Sequence, residues 1–505
     1  MLKNFIARFR RKPAASPAPE VRSQWNQYSA SDIYPEHEFA PLYPDHSSYL
    51  AMTALNAHRY DEALVLLEAC NAVDAHAWTC VLLLRAHALR ELFGFAEEIT
   101  LLEQALSMDP DCLRAWAMRC EALYCLGRFE QAQRDFARSP HAAGYGVRGL
   151  ALLGAQLAEA RGDAGTAMRL YRESLEAFPR LTVARSNLGY ALIRTGMHRA
   201  GYQELRRVGF ETGFLPMEPG SPVWAGEPLD ARPLLLVAEF GVGDMVQYLR
   251  YAGLLRQRLK GTPVWLKAPP TLTRAAQSTG WFDRVVGPEF RLGEGFHSPL
   301  NQLPLILGAE SDLQPVPFPY LVPERVDAER FARLLDKTPA LPLIGLCWAG
   351  KVLEVDARRS VPLATLAPIL ARFRRRARFV SLQLGPASEQ AGALPAECRL
   401  VNLASELTDV AATVALCAHL DLVISVDTAV AHIAGASAKP LWLLARPDLD
   451  FRWETSGASN GEPVTGYYPR TRIFRHPGGS LNWAGVVAEV SAALEAWITL
   501  QVAQG

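Results

Sequence analysis

Two patterns of hydrophobic and polar positions divide this chain. From Ser48 onward, apolar residues recur at helical spacing, and equivalent helices return every 33 to 35 residues, at Ala63, Glu98, Ala132, Ala167 and Ala200. Four positions later in these helices come Leu67, Leu102, Phe136 and Tyr171, whereas Glu204 departs from the apolar pattern. A repeat of about 34 residues with two helices per unit is typical of tetratricopeptide repeats. Residues 45–212 are therefore predicted to form an α-solenoid, whose concave surface either binds a partner or serves only as a spacer.

The second pattern begins after a stretch rich in proline and glycine around Trp224. Short apolar runs bounded by turn residues then alternate with helical segments, as expected for parallel sheets covered by helices. This alternation predicts two successive α/β lobes, over residues 213–340 and 341–480, and a closing helix over residues 481–505. The predicted strands lie at residues 234–238, 263–268, 282–286, 343–347, 379–384, 422–426, 441–444 and 468–474.

The segment from Asp421 to Leu444 combines a buried strand, a polar turn, a helix of small residues and a second strand. In such units ligands bind beyond the carboxyl ends of the strands, and a helix N-terminus attracts phosphate. Asp427 and Thr428 occupy the turn, and His432 lies one helical turn after Thr428. The segment predicts a phosphate site, and the alternative is an ordinary core helix with a capping Asp-Thr pair and a buried histidine.

A glycine turn follows the first predicted strand of the α/β part. Gly241 and Gly243 precede Asp244 and permit a tight entry into the next helix. They form only half of a dinucleotide-binding fingerprint, which is a weak signal alone. Asp244 either faces a cleft between the two lobes or caps the helix that follows.

Composition and charge narrow the classes of partner. Lys plus Arg and Asp plus Glu both number 52, so charge gives no reason to expect nucleic acid. The eight cysteines lie in apolar or helical patterns without a CxxC pair, as expected for buried thiols in a reducing compartment. No uninterrupted apolar run approaches the length of a membrane span. The expectation is a soluble cytoplasmic protein.

The first 44 residues form a separate segment. Residues 1–12 place an apolar stripe beside basic side chains, and a Pro/Ala-rich linker follows. The stripe is either a peripheral contact with a membrane or partner, or a frayed basic tail.

Several short motifs resemble the glycosyltransferase half of bacterial tetratricopeptide-repeat glycosyltransferases. They are WAGEPL at 224–229, ExGxGD at 239–244, WAG at 348–350, RSxPL at 359–363, SLQxGP at 381–386 and SVDTAVAH at 425–432. That family is similar to the ADP-heptose transferases and, more distantly, to O-GlcNAc transferases. The resemblance covers the chain from about residue 222 onward, and the repeats complete the expected domain order.

The resemblance implies a GT-B fold and inverting sugar transfer from a nucleotide-sugar without a metal or other cofactor. It implies a protein acceptor held by the repeats, with flagellin as a candidate. It assigns the general base to Asp244 and donor binding to Gly241, Gly243, Trp348, Lys351, Arg359, Gln383, Asp427, Thr428 and His432. Asp448 and Asp450 look like a metal-binding pair but are interpreted as loop acids, because no ligand cluster accompanies them.

Two departures from the family pattern affect the predicted cleft. Phe240 replaces a glutamine beside the expected base, and residues 351–353 replace an Asn-Pro stretch. The donor sugar and nucleotide are therefore not implied by the resemblance. Two other functions stay open, a transferase acting on lipopolysaccharide or another glycan, and a non-catalytic scaffold.

Overall fold

A computed structural model describes residues 46–70, 74–92, 94–138, 148–211, 217–238, 241–308, 318–335, 341–350, 358–398, 400–446, 449–453, 455–459, 462–465, 467–475 and 481–504. The basic N-terminal segment, the linker after it and the predicted site residue Lys351 lie outside these residues. The described residues divide into two compact units, and the chain passes from the first to the second between Ala184 and Arg185.

The N-terminal part consists of paired helices, as the periodicity predicts. They are α1 (His46–Asn56), α2 (Tyr60–Glu68), α3 (Ala75–Glu91), α4 (Phe95–Met108), α5 (Leu113–Cys125), α6 (Phe129–Arg138), α7 (Arg148–Ala160), α8 (Ala164–Ala177), α9 (Thr182–Arg194) and α10 (His198–Glu211). The first four repeat positions and the apolar residues after them are buried, except that Phe136 is partly exposed. The α-solenoid prediction is confirmed.

The buried small residue of the fifth repeat lies one position later than the sequence analysis predicts. Ala200 is exposed, whereas Gly201 is buried, and a Cβ on Gly201 would lie only 2.5 Å from the carbonyl oxygen of Gly189. Leu205 rather than Glu204 is the apolar residue that packs inward. Helices α9 and α10 cross so closely that only glycine fits at residue 201. The comparison of residue types between repeats instead selects the neighbouring Ala200.

Glu98 occupies a position that small residues fill in other repeats because an ion-pair network surrounds it. Arg90 of α3 contacts Glu98 of α4 at 2.6 Å, and it also pairs with Glu121 of α5. Burial raises the pKa of Glu98 to about 7, although the positive charge of Arg90 opposes this. Three successive helices are therefore joined by one buried guanidinium.

The first α/β lobe contains a parallel four-stranded sheet in the order β3–β2–β1–β4. Its elements are β1 (Leu234–Val237), α11 (Val242–Arg258), β2 (Val264–Lys267), α12 (Pro270–Ser278), β3 (Arg284–Val286), β4 (Phe296–Pro299), α13 (Leu303–Leu307) and α14 (Arg325–Leu335). The sequence analysis missed β4, because this buried strand contains histidine, serine and proline instead of an apolar run.

The second lobe contains a parallel six-stranded sheet in the order β12–β9–β8–β5–β6–β7. Its elements are β5 (Leu343–Cys347), α15 (Leu363–Phe373), β6 (Arg378–Ser381), β7 (Val401–Asn402), α16 (Val410–Ala418), β8 (Leu422–Val426), α17 (Ala429–Ala436), β9 (Leu441–Ala445), the hairpin strands β10 (Thr455–Ser459) and β11 (Glu462–Thr465), β12 (Thr471–Arg475) and α18 (Trp483–Gln504). The two parallel-sheet lobes confirm the predicted fold class.

The sequence analysis predicts no membrane-spanning segment in the last helix, α18. By length and composition α18 could cross a membrane over residues 483–501. However, Val490, Leu494 and Ile498 are fully buried in the core of the second lobe. One face of α18 thus closes that core.

The two lobes share one continuous hydrophobic core, and α11 of the first packs against α17 of the second. Ile193 of α9 and Tyr202 of α10 belong to the same core. Their burial there explains why the compact unit begins at Arg185, whereas the predicted division lies after residue 212.

Candidate functional site

The predicted strand, turn and helix around Asp427 form the centre of the second lobe. Strand β8 pairs in parallel with β5 on one side and β9 on the other. Parallel strands end at the same edge of the sheet, so the residues after β8 meet those after β5. Thr428 Oγ1 accordingly lies 3.5 Å from Cys347 Sγ and 3.2 Å from Ser425 Oγ.

The glycine turn of the first lobe packs directly on this unit. A Cβ added to Gly243 would lie 2.8 Å from His432 Cδ2 and 3.4 Å from the Cα of Ala429. Only a residue without a side chain allows such a close approach of the two helices. The turn predicted in one lobe and the helix start predicted in the other therefore form one site.

Two helix N-termini meet at this contact. Helix α11 has Gly241 as its N-cap, and α17 has Thr428, whose hydroxyl makes no capping hydrogen bond. The first N–H groups of a helix lack partners within the helix, and the helix dipole adds positive potential there. Two such ends without side-chain caps make this region attractive to an anion.

His432 lies beneath the contact, almost fully buried. Its Nδ1 lies 3.0 Å from the hydroxyl of Tyr468, its ring stacks on Trp453 with centroids 4.7 Å apart, and its Nε2 lies 4.0 Å from Asp427 Oδ1. Burial, assisted by the positive charge of Arg452, lowers the pKa of His432 to about 3. The imidazole is therefore neutral near pH 7 and can act as a hydrogen-bonding group rather than as a cation.

Asp427 has a mainly structural partner. Trp453 Nε1 donates a hydrogen bond of 2.9 Å to Asp427 Oδ1. Burial and the nearby charge of Asp450 raise the pKa of Asp427 above its ordinary value, while Arg359 acts in the opposite direction. The positive charge of Arg359 also helps to lower the pKa of His432. The structure thus brings Arg359, Asp427, Thr428 and His432 together.

Asp244 is the third residue of α11, and Gly241 occupies the N-cap position of this helix. Its carboxylate forms an ion pair with Arg452, which also contacts Asp450 at 2.8 Å. Burial alone would lower the pKa of Arg452, but these two carboxylates raise it above its ordinary value. Asp244 is connected in this way to the second lobe.

Trp348 and Gln383 lie behind the site. The Trp348 side chain is fully buried. Gln383 Oε1 accepts hydrogen bonds from the backbone N–H groups of Trp348 and Ala349, and its Nε2 donates to the carbonyls of Ala349 and Leu384. The amide of Gln383 is fully used in bracing the turn after β5, so it positions that turn.

Three residues of the sequence analysis lie outside the described part of the chain, namely Phe240, Lys351 and Asp448. Asp450, interpreted as a loop acid, lies in the charged cluster, where Arg452 lowers its pKa against the effect of burial. Among the described residues, no group of three or more His, Cys, Asp or Glu side chains is arranged to hold a metal ion.

The sequence analysis missed Arg452, Trp453 and Tyr468. They follow β9 in a segment without regular periodicity, and only the neighbouring charged and aromatic residues distinguish that segment in the sequence. Tertiary packing brings Trp453 and Tyr468 to His432, and Arg452 to Asp244.

Part of the second lobe is similar to a known glycosyltransferase family. Residues 368–444 match the model of glycosyltransferase family 9 (heptosyltransferase). Protein FlbA of Caulobacter vibrioides is 25% identical in an alignment of 436 residues that covers 77% of this chain and 68% of FlbA. The matched family region contains β8, α17 and most of β9, and it confirms the expected glycosyltransferase domain.

Two solved structures are also similar. ADP-heptose LPS heptosyltransferase II of E. coli aligns over 53% of this chain and 99% of its own, with 16% identity and a TM-score of 0.40. A mutant O-GlcNAc transferase of Thermobaculum terrenum aligns over 85% of this chain and 94% of its own, with 14% identity and a TM-score of 0.30.

Proposed function

We propose that this protein transfers a sugar from a nucleotide-sugar to a hydroxyl of a protein acceptor, with inversion and without a metal. The observation that carries this proposal is the contact of Gly243 with His432 and Ala429. It places the carboxylate-bearing turn of one lobe against the uncapped helix start of the other. A base and an anion site in contact are what sugar transfer from a diphosphate requires.

The anion site would hold the diphosphate leaving group. As the bond between the anomeric carbon and the phosphate oxygen breaks, its electron pair passes to that oxygen. The N-termini of α11 and α17 and the guanidinium of Arg359 stabilise the charge that develops there. Neutral His432 contributes a hydrogen bond.

Asp244 would act as the general base. The acceptor oxygen attacks the anomeric carbon on the face opposite the leaving group, and its proton passes to the Asp244 carboxylate. One bond forms as the other breaks, so the anomeric configuration inverts. The residue lies in the first turn of α11 and is partly exposed, so an acceptor hydroxyl can reach it.

The repeats would recognise a protein. A cavity of about 250 Å³ lies among α4, α5 and α6, and four basic residues outnumber two acidic ones in its lining, which consists of Ile99, Glu103, Arg119, Leu123, Arg128, Gln131, Arg134, Asp135 and Arg138. Arg119 is paired with Asp135 at 2.9 Å, whereas Arg134 and Arg138 are exposed. This lining suits an acidic segment of a protein with an apolar side chain.

Reversal of two charges tests this role of the repeats. Arg134→Glu with Arg138→Glu should reduce transfer to the acceptor at least about tenfold, because attraction becomes repulsion. Hydrolysis of the donor by water should be unchanged, and Arg180→Glu, an exposed site outside the cavity, should behave as the wild type. Equal loss of hydrolysis and transfer would assign these arginines to the fold instead.

Flagellin stays a candidate acceptor through the family resemblance, and the reaction would take place in the cytoplasm. The cysteines of the described residues are free thiols, which supports a reducing compartment. A second candidate function is transfer to lipopolysaccharide or another glycan, which the match to a heptosyltransferase family favours.

The decisive experiment supplies a panel of labelled nucleotide-sugars and follows the label. Label in protein supports the proposal, label in glycan supports the second candidate, and label in neither supports a non-catalytic scaffold. The intact masses of co-expressed candidate acceptors identify the product.

Substitution of the base then tests the mechanism. Asp244→Asn should fold, bind nucleoside diphosphate at least as tightly as the wild type and transfer roughly 100- to 10,000-fold more slowly. The exposed Asp230→Asn is the matched control and should transfer normally. Near-normal transfer by Asp244→Asn would eliminate this mechanism.

A further inference from the structure

The cation between the two lobes points to a step that precedes transfer. Arg452 lies in the short 3-10 turn Phe451–Trp453 that follows β9, with its guanidinium over the ring of Phe451. It binds Asp244 of the first lobe and Asp450 of its own lobe. The positive charge of Arg452 therefore engages Asp244, the carboxylate proposed above as the general base.

This engagement opposes the proposed role of Asp244. The guanidinium occupies the position beside Asp244 Oδ1 that an acceptor hydroxyl would need in order to hydrogen-bond to this oxygen. The pair is mainly shielded from water, since the side chains of Arg452 and Asp244 are 18% and 31% exposed. Asp244 Oδ1 becomes accessible to an acceptor hydroxyl only when the guanidinium moves away.

The same guanidinium reaches the anion site. The next residue, Trp453, stacks on His432 and donates a hydrogen bond to Asp427 Oδ1, beside the start of α17. The Nε of Arg452 is buried and has no hydrogen-bond partner among the described residues. Arg452 thus lies between the base and the place of the diphosphate, and it retains an unused donor.

Asp450 holds Arg452 through two hydrogen bonds within the second lobe. Asp450 Oδ1 accepts hydrogen bonds from both Nη1 and the backbone N–H of Arg452, at 2.8 and 3.0 Å. Because the guanidinium is planar, it can pivot as a whole about Nη1 at Asp450 and carry Nη2 from Asp244 toward a different anion. The exchange therefore needs movement of one side chain only.

We propose that the donor diphosphate takes Arg452 from Asp244, so that binding of the donor releases the base. This inference rests on the proposed function and adds an order to it, with the donor bound before the acceptor proton can be removed. No covalent bond changes in this step. The guanidinium exchanges a carboxylate for a phosphate oxygen, and the free carboxylate can then accept the proton.

The alternative is that the Asp244–Arg452 pair only holds the lobes together. The two accounts differ in how Asp244 affects the binding of ADP, GDP and UDP, measured by calorimetry on the full chain. If Asp244 competes with phosphate for Arg452, Asp244→Asn should tighten binding of the nucleoside diphosphate about two- to tenfold. If the pair is a structural connection, Asp244→Asn should weaken binding or leave it unchanged.

A double variant separates competition from direct repulsion between Asp244 and phosphate. Arg452→Gln should weaken binding at least about tenfold, because a charge-assisted hydrogen bond is lost. In that background Asp244→Asn should give no further gain. A gain that persists without Arg452 would reflect repulsion and would overturn the exchange.

A matched control completes the test. Arg256→Gln breaks an Arg–Asp pair outside the site and should leave the affinity for the nucleoside diphosphate unchanged. An equal loss of affinity in Arg256→Gln and Arg452→Gln would contradict the exchange.

The outcomes distinguish the two proposals. If nucleoside diphosphates bind but Asp244 and Arg452 show no coupling, this inference is wrong and the proposed transferase stands. If the wild type binds none of the three nucleotides, the proposed function fails and this inference fails with it.

Discussion

The contact between Gly243 and His432 predicts an unusual response to a small substitution. Gly243→Ala adds one methyl group, which would lie 2.8 Å from His432 Cδ2 and 3.4 Å from Ala429 Cα. The imidazole cannot easily yield, because Trp453 stacks on it and the Tyr468 hydroxyl is 3.0 Å from its Nδ1. The substitution should therefore push apart the two helices or displace the ring.

Two opposing effects determine the magnitude. Overpacking of a buried contact costs about 1–3 kcal/mol. Replacing glycine by alanine in a helix gains up to about 1 kcal/mol. Gly243 is the second residue of α11, so the gain applies only in part. We expect a net loss of about 1–2 kcal/mol in the free energy of unfolding, together with weaker nucleotide binding.

A double-variant cycle isolates the contact. In His432→Ala the ring is absent, so Gly243→Ala should be neutral or stabilising by up to about 1 kcal/mol. Urea unfolding of the four proteins, followed by tryptophan fluorescence, measures the coupling. Gly392→Ala is the matched control, since a Cβ there would meet no atom within 4 Å. Equal losses from Gly243→Ala in both backgrounds would refute the close contact.

Three other predictions concern charge. Burial lowers the pKa of His432 to about 3, so between this pH and about 6.5 the unfolded chain binds a proton that the folded chain does not. The free energy of unfolding should therefore fall by up to about 1.4 kcal/mol per pH unit as the pH decreases from about 6.5 toward 3. The urea midpoints of His432→Gln should lack this component of the wild-type pH dependence. Arg90→Leu should reduce the free energy of unfolding by about 3–5 kcal/mol, because Glu98 stays buried without its partner, and Arg90→Leu with Glu98→Leu should recover most of it. Sugar transfer should survive EDTA if helix ends and arginines stabilise the leaving group, and loss of transfer that manganese or magnesium restores would contradict the metal-independent mechanism.

Elements with a strong period were predictable from the sequence. Helical repeats and buried parallel strands both bury apolar faces at a fixed spacing, so local pattern and tertiary packing select the same residues. The segment from β8 to β9 shows this, since its strand, helix and strand lie where the pattern places them. The same pattern could not reveal β4, whose polar residues become buried only through its neighbours.

The repeat register shows where similarity between residues misleads. Ala200 resembles the small residues of the other repeats, but the crossing with Gly189 requires the smaller Gly201. The distance between two helices depends on how they pack, and it cannot be predicted from the spacing of residues within one helix. The small residue of the final repeat consequently lies one position later than the sequence pattern predicts.

For the site, the sequence by itself identified the turn at Gly241 to Asp244 and the helix start at Thr428, because each has a local chemical pattern. Only the tertiary structure brought them into contact and joined Asp244 to Arg452, more than 200 residues away in the chain. It also made His432 neutral by burying it against Trp453 and near Arg452. Ion pairs and pKa values depend on distance and solvent exposure, which are set when the lobes pack together and have no signature in local sequence.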